Sequence, residues 1–209
     1  MVERGAGRHL RTSFVATLLS AAVLAGCASP SPHGDELYRS AREANLQFKG
    51  TVAGVLRHLS NASWQVQEYG DSPLDCADGY GFSLHRTTYE GWMLRTDALT
   101  TVEEAAAWLA ARGWTTSAPT VGGGGAVVEA SDPSRSIAAL VIEVHDGEGT
   151  ADAIGVGATS GCFEGDAEEL KALLYPGYPD RLSVHEPLPL VEQPDDAPVF
   201  GFTRDGRPR

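Results

Sequence analysis

Two histidines and one carboxylate are the groups whose placement first bears on chemistry. Glu143 and His145 stand two residues apart at the end of an apolar run that begins at Ile137, so on an extended strand they share a face. Convergence with His85 would make them a proton-transfer pair or metal ligands. Nothing in the spacing adds to this: no H-E-x-x-H occurs, and His33, His58 and His185 form no zinc-like pair. Neither a metal nor a cofactor is therefore expected. Ser160 lies in Ala158-Thr159-Ser160-Gly161, without the G-x-S-x-G elbow of a serine nucleophile. The run from Gly155 to Gly161 has the glycine content of a dinucleotide loop, but only a proline-rich stretch follows it instead of a second parallel strand. Glycines in a strand facing a helix or a cystine are the expectation there, and Gly122 to Gly125 reads as a hairpin turn. Trp64, Trp92, Trp108 and Trp114, with Tyr69, Tyr80 and Tyr89, are read as core and sheet packing, a ligand groove being the functional alternative.

The cysteines say more. Arg4, Arg8 and Arg11 precede an uncharged stretch from Thr12 to Gly26 rich in Val, Ala and Leu, the basic start and apolar middle of a signal peptide. Its 15 residues fall short of the roughly 20 that span a bilayer core. The stretch ends in Leu24-Ala25-Gly26-Cys27, which resembles the lipobox of bacterial lipoproteins. That resemblance implies cleavage before Cys27 and a diacylglyceryl group on its sulfur, with palmitate-type acyl chains. Two chains anchor stably where one binds marginally. The 28 acidic residues against 16 basic ones argue against a nucleic-acid partner, which needs surplus Lys and Arg. Loss of Glu3 and the three arginines with residues 1–26 leaves the remainder more acidic still. Lipid, rather than a basic patch, is then expected to hold it at an anionic membrane. With Cys27 used, Cys76 and Cys162 form an even pair in an exported chain, which predicts one disulfide. A thiol redox site or a two-cysteine zinc site is the alternative, although no C-x-x-C is present.

The elements that must position these groups follow from periodicity. Residues 27–34 carry the expected lipidated cysteine and a Ser/Pro/Gly tether. From Asp35, the residues Leu37, Ala41, Ala44, Phe48, Val52, Val55 and Leu59 recur at spacings of 3 and 4, predicting one helix that can bend at Gly50 and Gly54. Trp64 to Tyr69 alternates as a half-buried strand, Gly70 to Gly79 reads as a loop holding Cys76, and Tyr80 to Leu94 reads as extended with an interruption at Gly91. Thr101 and Glu104 have the spacing of a capping box opening a helix to Arg112, with Gly113 at the left-handed position beyond it. Strands are expected at 114–120, 126–130, 137–144 and 153–158, and a short helix from Asp166 to Leu174. Seven prolines lie between Tyr175 and Arg209, so 175–209 reads as a mostly extended tail beyond a 35–174 domain. Asn61-Ala62-Ser63, a glycosylation sequon in form, reads as a helix stop. The fold class expected is α+β: a mainly antiparallel sheet with two main helices on one face and one disulfide.

Lipobox, long first helix, Trp64 at its end, Cys76 in a loop, a second helix closing on Gly113-Trp114, and strands ending at Ser160-Gly161-Cys162 occur in an order that resembles small exported actinobacterial lipoproteins, notably the mycobacterial LppA-type group. The likeness covers about residues 14–162 and rests on layout. It implies a membrane-tethered, disulfide-linked α+β domain on the extracytoplasmic side of the cell membrane, and brings no activity onto any residue. The expected role is a non-enzymatic binding or interaction module whose partner is an envelope protein or small ligand. An envelope hydrolase using His85, Glu143 and His145 is the alternative, and recognition through the proline-rich tail a third reading.

Overall fold

A computed structural model of the chain describes residues 31–66, 71, 73–77, 79–88, 91–147, 151–176, 191–204, 207 and 209. The expected leader, residues 1–26, and Cys27 lie outside the described residues, as do Tyr69, Tyr89 and His185. The first element is helix α1, Gly34–Leu59. It buries Leu37, Ala41, Asn45, Phe48, Val52, Val55 and Leu56 along the stripe that the 3-and-4 spacing demands, and runs unbroken through Gly50 and Gly54.

Among the described residues ten strands follow around two further α-helices: β1 (Trp64–Val66), β2 (Pro73–Cys76), β3 (Gly79–Thr88), α2 (Ala98–Ala110), β4 (Thr115–Thr116), β5 (Thr120–Gly122), β6 (Gly125–Asp132), β7 (Ile137–His145), β8 (Ala153–Ser160), β9 (Phe163–Glu164), α3 (Ala167–Leu174) and β10 (Val191–Glu192). The sheet order is β10-β1-β3-β8-β7-β6-β4, with β2 and β9 also on β3 and β5 on β6. Every pairing is antiparallel. Phe82 and Leu84 of β3, Ile154 and Val156 of β8, Leu140, Ile142 and Val144 of β7, and Ala126 and Val128 of β6 join the helices' buried residues in one core. The fold is α+β with the helices on one sheet face. Gly123 and Gly124, both at positive φ, make the two-residue turn between β5 and β6, where both central residues must be left-handed.

Three local expectations are corrected. The N-cap of α2 is Asp97 rather than Thr101: the Asp97 carboxylate accepts from the Thr100 amide at 2.9 Å and the Thr100 hydroxyl at 2.7 Å. A charged cap is a stronger acceptor than a hydroxyl, and starting the helix there also buries Ala98. The segment around Cys76 is strand β2 rather than loop, in register with β3 from Pro73–Phe82 to Cys76–Gly79. Finally, the described part of 175–209 is not a tail set apart from the domain. Phe200 and Phe202 are each 3% exposed, Phe200 packs on Phe82 and Tyr38, and Phe202 on Tyr175. Proline density governed the sequence reading, whereas burial of two aromatic rings decides the structure.

Cys76 and Cys162 are joined by a disulfide, their Cα atoms 5.9 Å apart. It ties β2 to the connection between β8 and β9, all neighbours of β3. Among the described residues no helix is long and apolar enough to cross a membrane.

Candidate functional site

The apolar alternation of β3 carries an anomaly. Tyr80, Phe82 and Leu84 face the core with period two, and the next inward position is Arg86, only 2% exposed. An arginine so placed must find partners for five N–H groups and a counter-charge. It finds them in segments far apart in the chain. Its Nη1 and Nη2 donate to the two oxygens of Asp71, both at 2.9 Å. Its Nε and Nη2 donate to the two oxygens of Glu192 at 2.5 and 3.2 Å, and Nη1 also donates to the His85 carbonyl at 3.0 Å. Lys49 of α1, 11% exposed, completes the cluster: its Nζ lies 2.7 Å from Asp71 Oδ2, itself 8% exposed, and 2.7 Å from the Val199 carbonyl. Two cations and two carboxylates are thus neutralised inside the fold.

Burial by itself would push the Asp71 carboxyl up, but Lys49 and Arg86 outweigh it and hold it well below its ordinary 3.8. Burial likewise opposes the Arg86 charge, and Asp71 and Glu192 overcome it, raising its pKa.

The cluster forms one end of a cavity of about 290 Å³, at the small end of the range for ligand pockets. One wall is α1, where Lys49, Val52, Ala53 and Leu56 share a face. The floor is Val66, Leu84 and Arg86, Val66 and Arg86 being direct partners across β1 and β3. The other wall is the segment from Glu192 to Val199. Antiparallel pairing of β10 with β1 starts that wall. Its return toward α1 is held by Arg57, whose Nη1 donates to Asp195 at 2.9 Å and to the Pro194 carbonyl at 3.3 Å.

The groups singled out in the sequence lie elsewhere. His85 points to the other sheet face, the one without helices. Its Nε2 and the Glu143 Cβ lie 3.8 and 3.9 Å from where a Cβ on Gly155 would stand, and its Cδ2 lies 3.8 Å from the corresponding point on Gly157. The two glycines of β8 therefore seat the His85 ring on the open face, in place of the helix or cystine contact expected for the run. Burial lowers the His85 pKa below 6.5, with Glu143 opposing and Arg86 adding to the effect. His85 Nδ1 is buried and has no hydrogen-bond partner among the described residues. His145 leans the opposite way, its Nδ1 2.9 Å from the Cβ point of Gly125 in β6. The structure places His85 and Glu143 on either side of β8 on one sheet face, while His145, on the same face of β7, leans over β6. Among the described residues no three His, Cys, Asp or Glu side chains form a metal cluster.

Of the tryptophans, Trp64 is wholly buried, while Trp108 and Trp114 border an open cleft of about 510 Å³ between α1 and α2, with Arg112 and Arg135. The His58 ring stacks on Trp108 at 4.2 Å and the Arg112 guanidinium lies 3.9 Å from the same ring. Burial and then Arg112 lower the His58 pKa against a smaller pull from Glu104.

Lys49, Asp71, Arg86 and Glu192 escaped the sequence reading. One signal was available: continuing the Tyr80-Phe82-Leu84 alternation puts Arg86 on the buried face. Asp71 and Glu192 carry no local pattern. The domain is thus an α+β fold with a one-sided antiparallel sheet and a charge-floored cavity under its first helix. No protein-family model, curated protein or solved structure matches the chain.

Proposed function

We propose that this chain is a cell-envelope binding protein. It is exported behind residues 1–26, held on the extracytoplasmic side of the membrane by acyl chains on Cys27, and captures a small ligand in the cavity between α1, the β1–β3 floor and the Glu192–Val199 wall. The observation that carries this reading is the cavity itself, in which apolar walls meet a few polar groups held rigidly by one another, the usual construction of a small-molecule site. Two further features support it. The leader ends in the Leu-Ala-Gly-Cys sequence, and the Cys76–Cys162 disulfide belongs to an oxidising compartment. The binding role is favoured over an enzymatic one because the His85–Glu143 pair and the cavity occupy opposite sheet faces.

Metabolic labelling with a palmitate analogue tests the anchor: wild type is expected to take up label and Cys27→Ala to take up none, and equal labelling would refute it. For the cavity, Ala53→Trp places an indole from a half-buried helix position into the opening. In the full-length Cys27→Ala chain, the neutral dye N-phenyl-1-naphthylamine is expected to brighten with Ala53 present. It should stay dark once Ala53→Trp is added, with the melting temperature of the two chains nearly equal. Equal brightening in both would place the dye outside the cavity and end the reading.

A further inference from the structure

The arrangement of charge in the cavity selects among ligand head groups, an inference that rests on the binding role proposed above. Each hydrogen-bonding group in the cluster can be counted. Arg86 spends all five N–H groups on Asp71, Glu192 and the His85 carbonyl. Asp71 accepts two bonds from Arg86 and pairs with Lys49. Lys49 has three ammonium protons and two partners among the described residues, Asp71 Oδ2 and the Val199 carbonyl. Each Glu192 oxygen accepts one bond from Arg86 and keeps a second lone pair. Both Lys49 and Glu192 border the cavity. Among the described residues, what is offered to a ligand is one donor and one or two acceptors.

At the buried end of the cavity the charges leave no remainder. Lys49 and Arg86 are balanced by Asp71 and Glu192, and at the mouth Arg57 is balanced by Asp195. Asp196, exposed beside the mouth, accepts from the Gln193 amide and leaves one formal negative charge in excess there, in solvent and away from the buried end. At that buried end an entering carboxylate would lose its hydration and meet cations already neutralised, and an ammonium would meet carboxylates in the same condition. Either would have to break an existing pair to gain its own. A head that both donates and accepts without net charge meets Lys49 and Glu192 and leaves every pair intact. Behind the head, Val52, Leu56, Val66 and Leu84 offer apolar wall to a chain in a space that holds roughly ten waters' volume.

We propose that the cavity takes an uncharged amphipath, a primary amide or alcohol on a short apolar chain, in preference to the carboxylate or ammonium of the same length. The test uses octanamide, octanoate and octylammonium at pH 7, each titrated into the full-length Cys27→Ala chain with and without Ala53→Trp. Binding is read from the methyl NMR signals of Val52, Leu56, Val66 and Leu84. Octanamide is expected to bind at least tenfold more tightly than either ion, and to lose that binding with Ala53→Trp. If octanoate or octylammonium matches or exceeds octanamide and is likewise displaced by the indole, the head-group assignment is overturned while the cavity remains a binding site. If no probe distinguishes the two chains, both the assignment and the site fall.

Discussion

Replacing Arg86 by methionine is expected to destabilise the protein by roughly 3–5 kcal/mol, the cost of leaving buried partners of an ion pair uncompensated. Arg86 is the junction of the cluster. Without it Asp71, 8% exposed, keeps Lys49 alone as a counter-charge among the described residues, and Glu192 loses both of its Arg86 hydrogen bonds. The melting temperature should fall by roughly 10 °C or more for a domain of this size. Arg86→Lys should rescue little, because an ammonium cannot fork to two carboxylates. The variant should also loosen the segment after β10, since Glu192 anchors it to β3, so limited proteolysis is expected to cut near residues 193–199 well before the rest.

The acid limb of this prediction has a definite sign. Asp71 is held below its ordinary 3.8, so the stability it contributes is complete above that value and is lost as pH falls toward the depressed one. The difference between wild type and Arg86→Met should therefore hold from neutral pH down to about 4 and narrow below it. A difference under about 1 kcal/mol at pH 7, a value typical of exposed pairs, would show that the cluster is not buried in solution.

The second large effect is expected from the disulfide. Cys76 and Cys162 are 86 residues apart in sequence, and closing a loop of that length is worth roughly 4–5 kcal/mol by loss of denatured-chain entropy, with about 2–5 kcal/mol found when native bridges are removed. The Cys76→Ser/Cys162→Ser protein should melt roughly 10 °C lower, still folded, because hydrogen bonding of β2 and β9 to β3 persists without the bridge. Cys162 is exposed, so dithiothreitol should bring the wild type down to the melting temperature of the double variant and leave that variant unmoved. A reductant effect of equal size on both proteins would mean that the bridge contributes nothing of its own.

Most elements were legible because their signals are local. The 3-and-4 spacing from Leu37 to Leu59 needs only the helical period, the glycine pair at 123–124 only the turn geometry, and Asp166 with Glu169 only the cap. The start of α2 was misjudged because two capping solutions lay four residues apart, and the choice turned on burying Ala98 against the sheet. The proline-rich C-terminal stretch was misjudged because Phe200 and Phe202 have no periodic companions to announce them. Their burial depends on a pocket that α1, α3 and β3 create together.

The candidate site divides along the same line. Composition, the basic and then apolar N-terminal stretch that runs up to Cys27, the even pair of remaining cysteines and the one-sided strand patterns were set by the residue order itself, since each depends on neighbours within a few positions or on simple counting. Tertiary structure alone decided that Lys49, Asp71, Arg86 and Glu192 meet, that the His85 ring lies beside Gly155 and Gly157 on the open face, and that His145 leans over β6. The reason is range. Hydrophobic period and turn chemistry act between residues a few places apart, whereas a buried charge is tolerable only beside its counter-charge, and in this chain the residues that neutralise Arg86 come from 15 and 106 positions away.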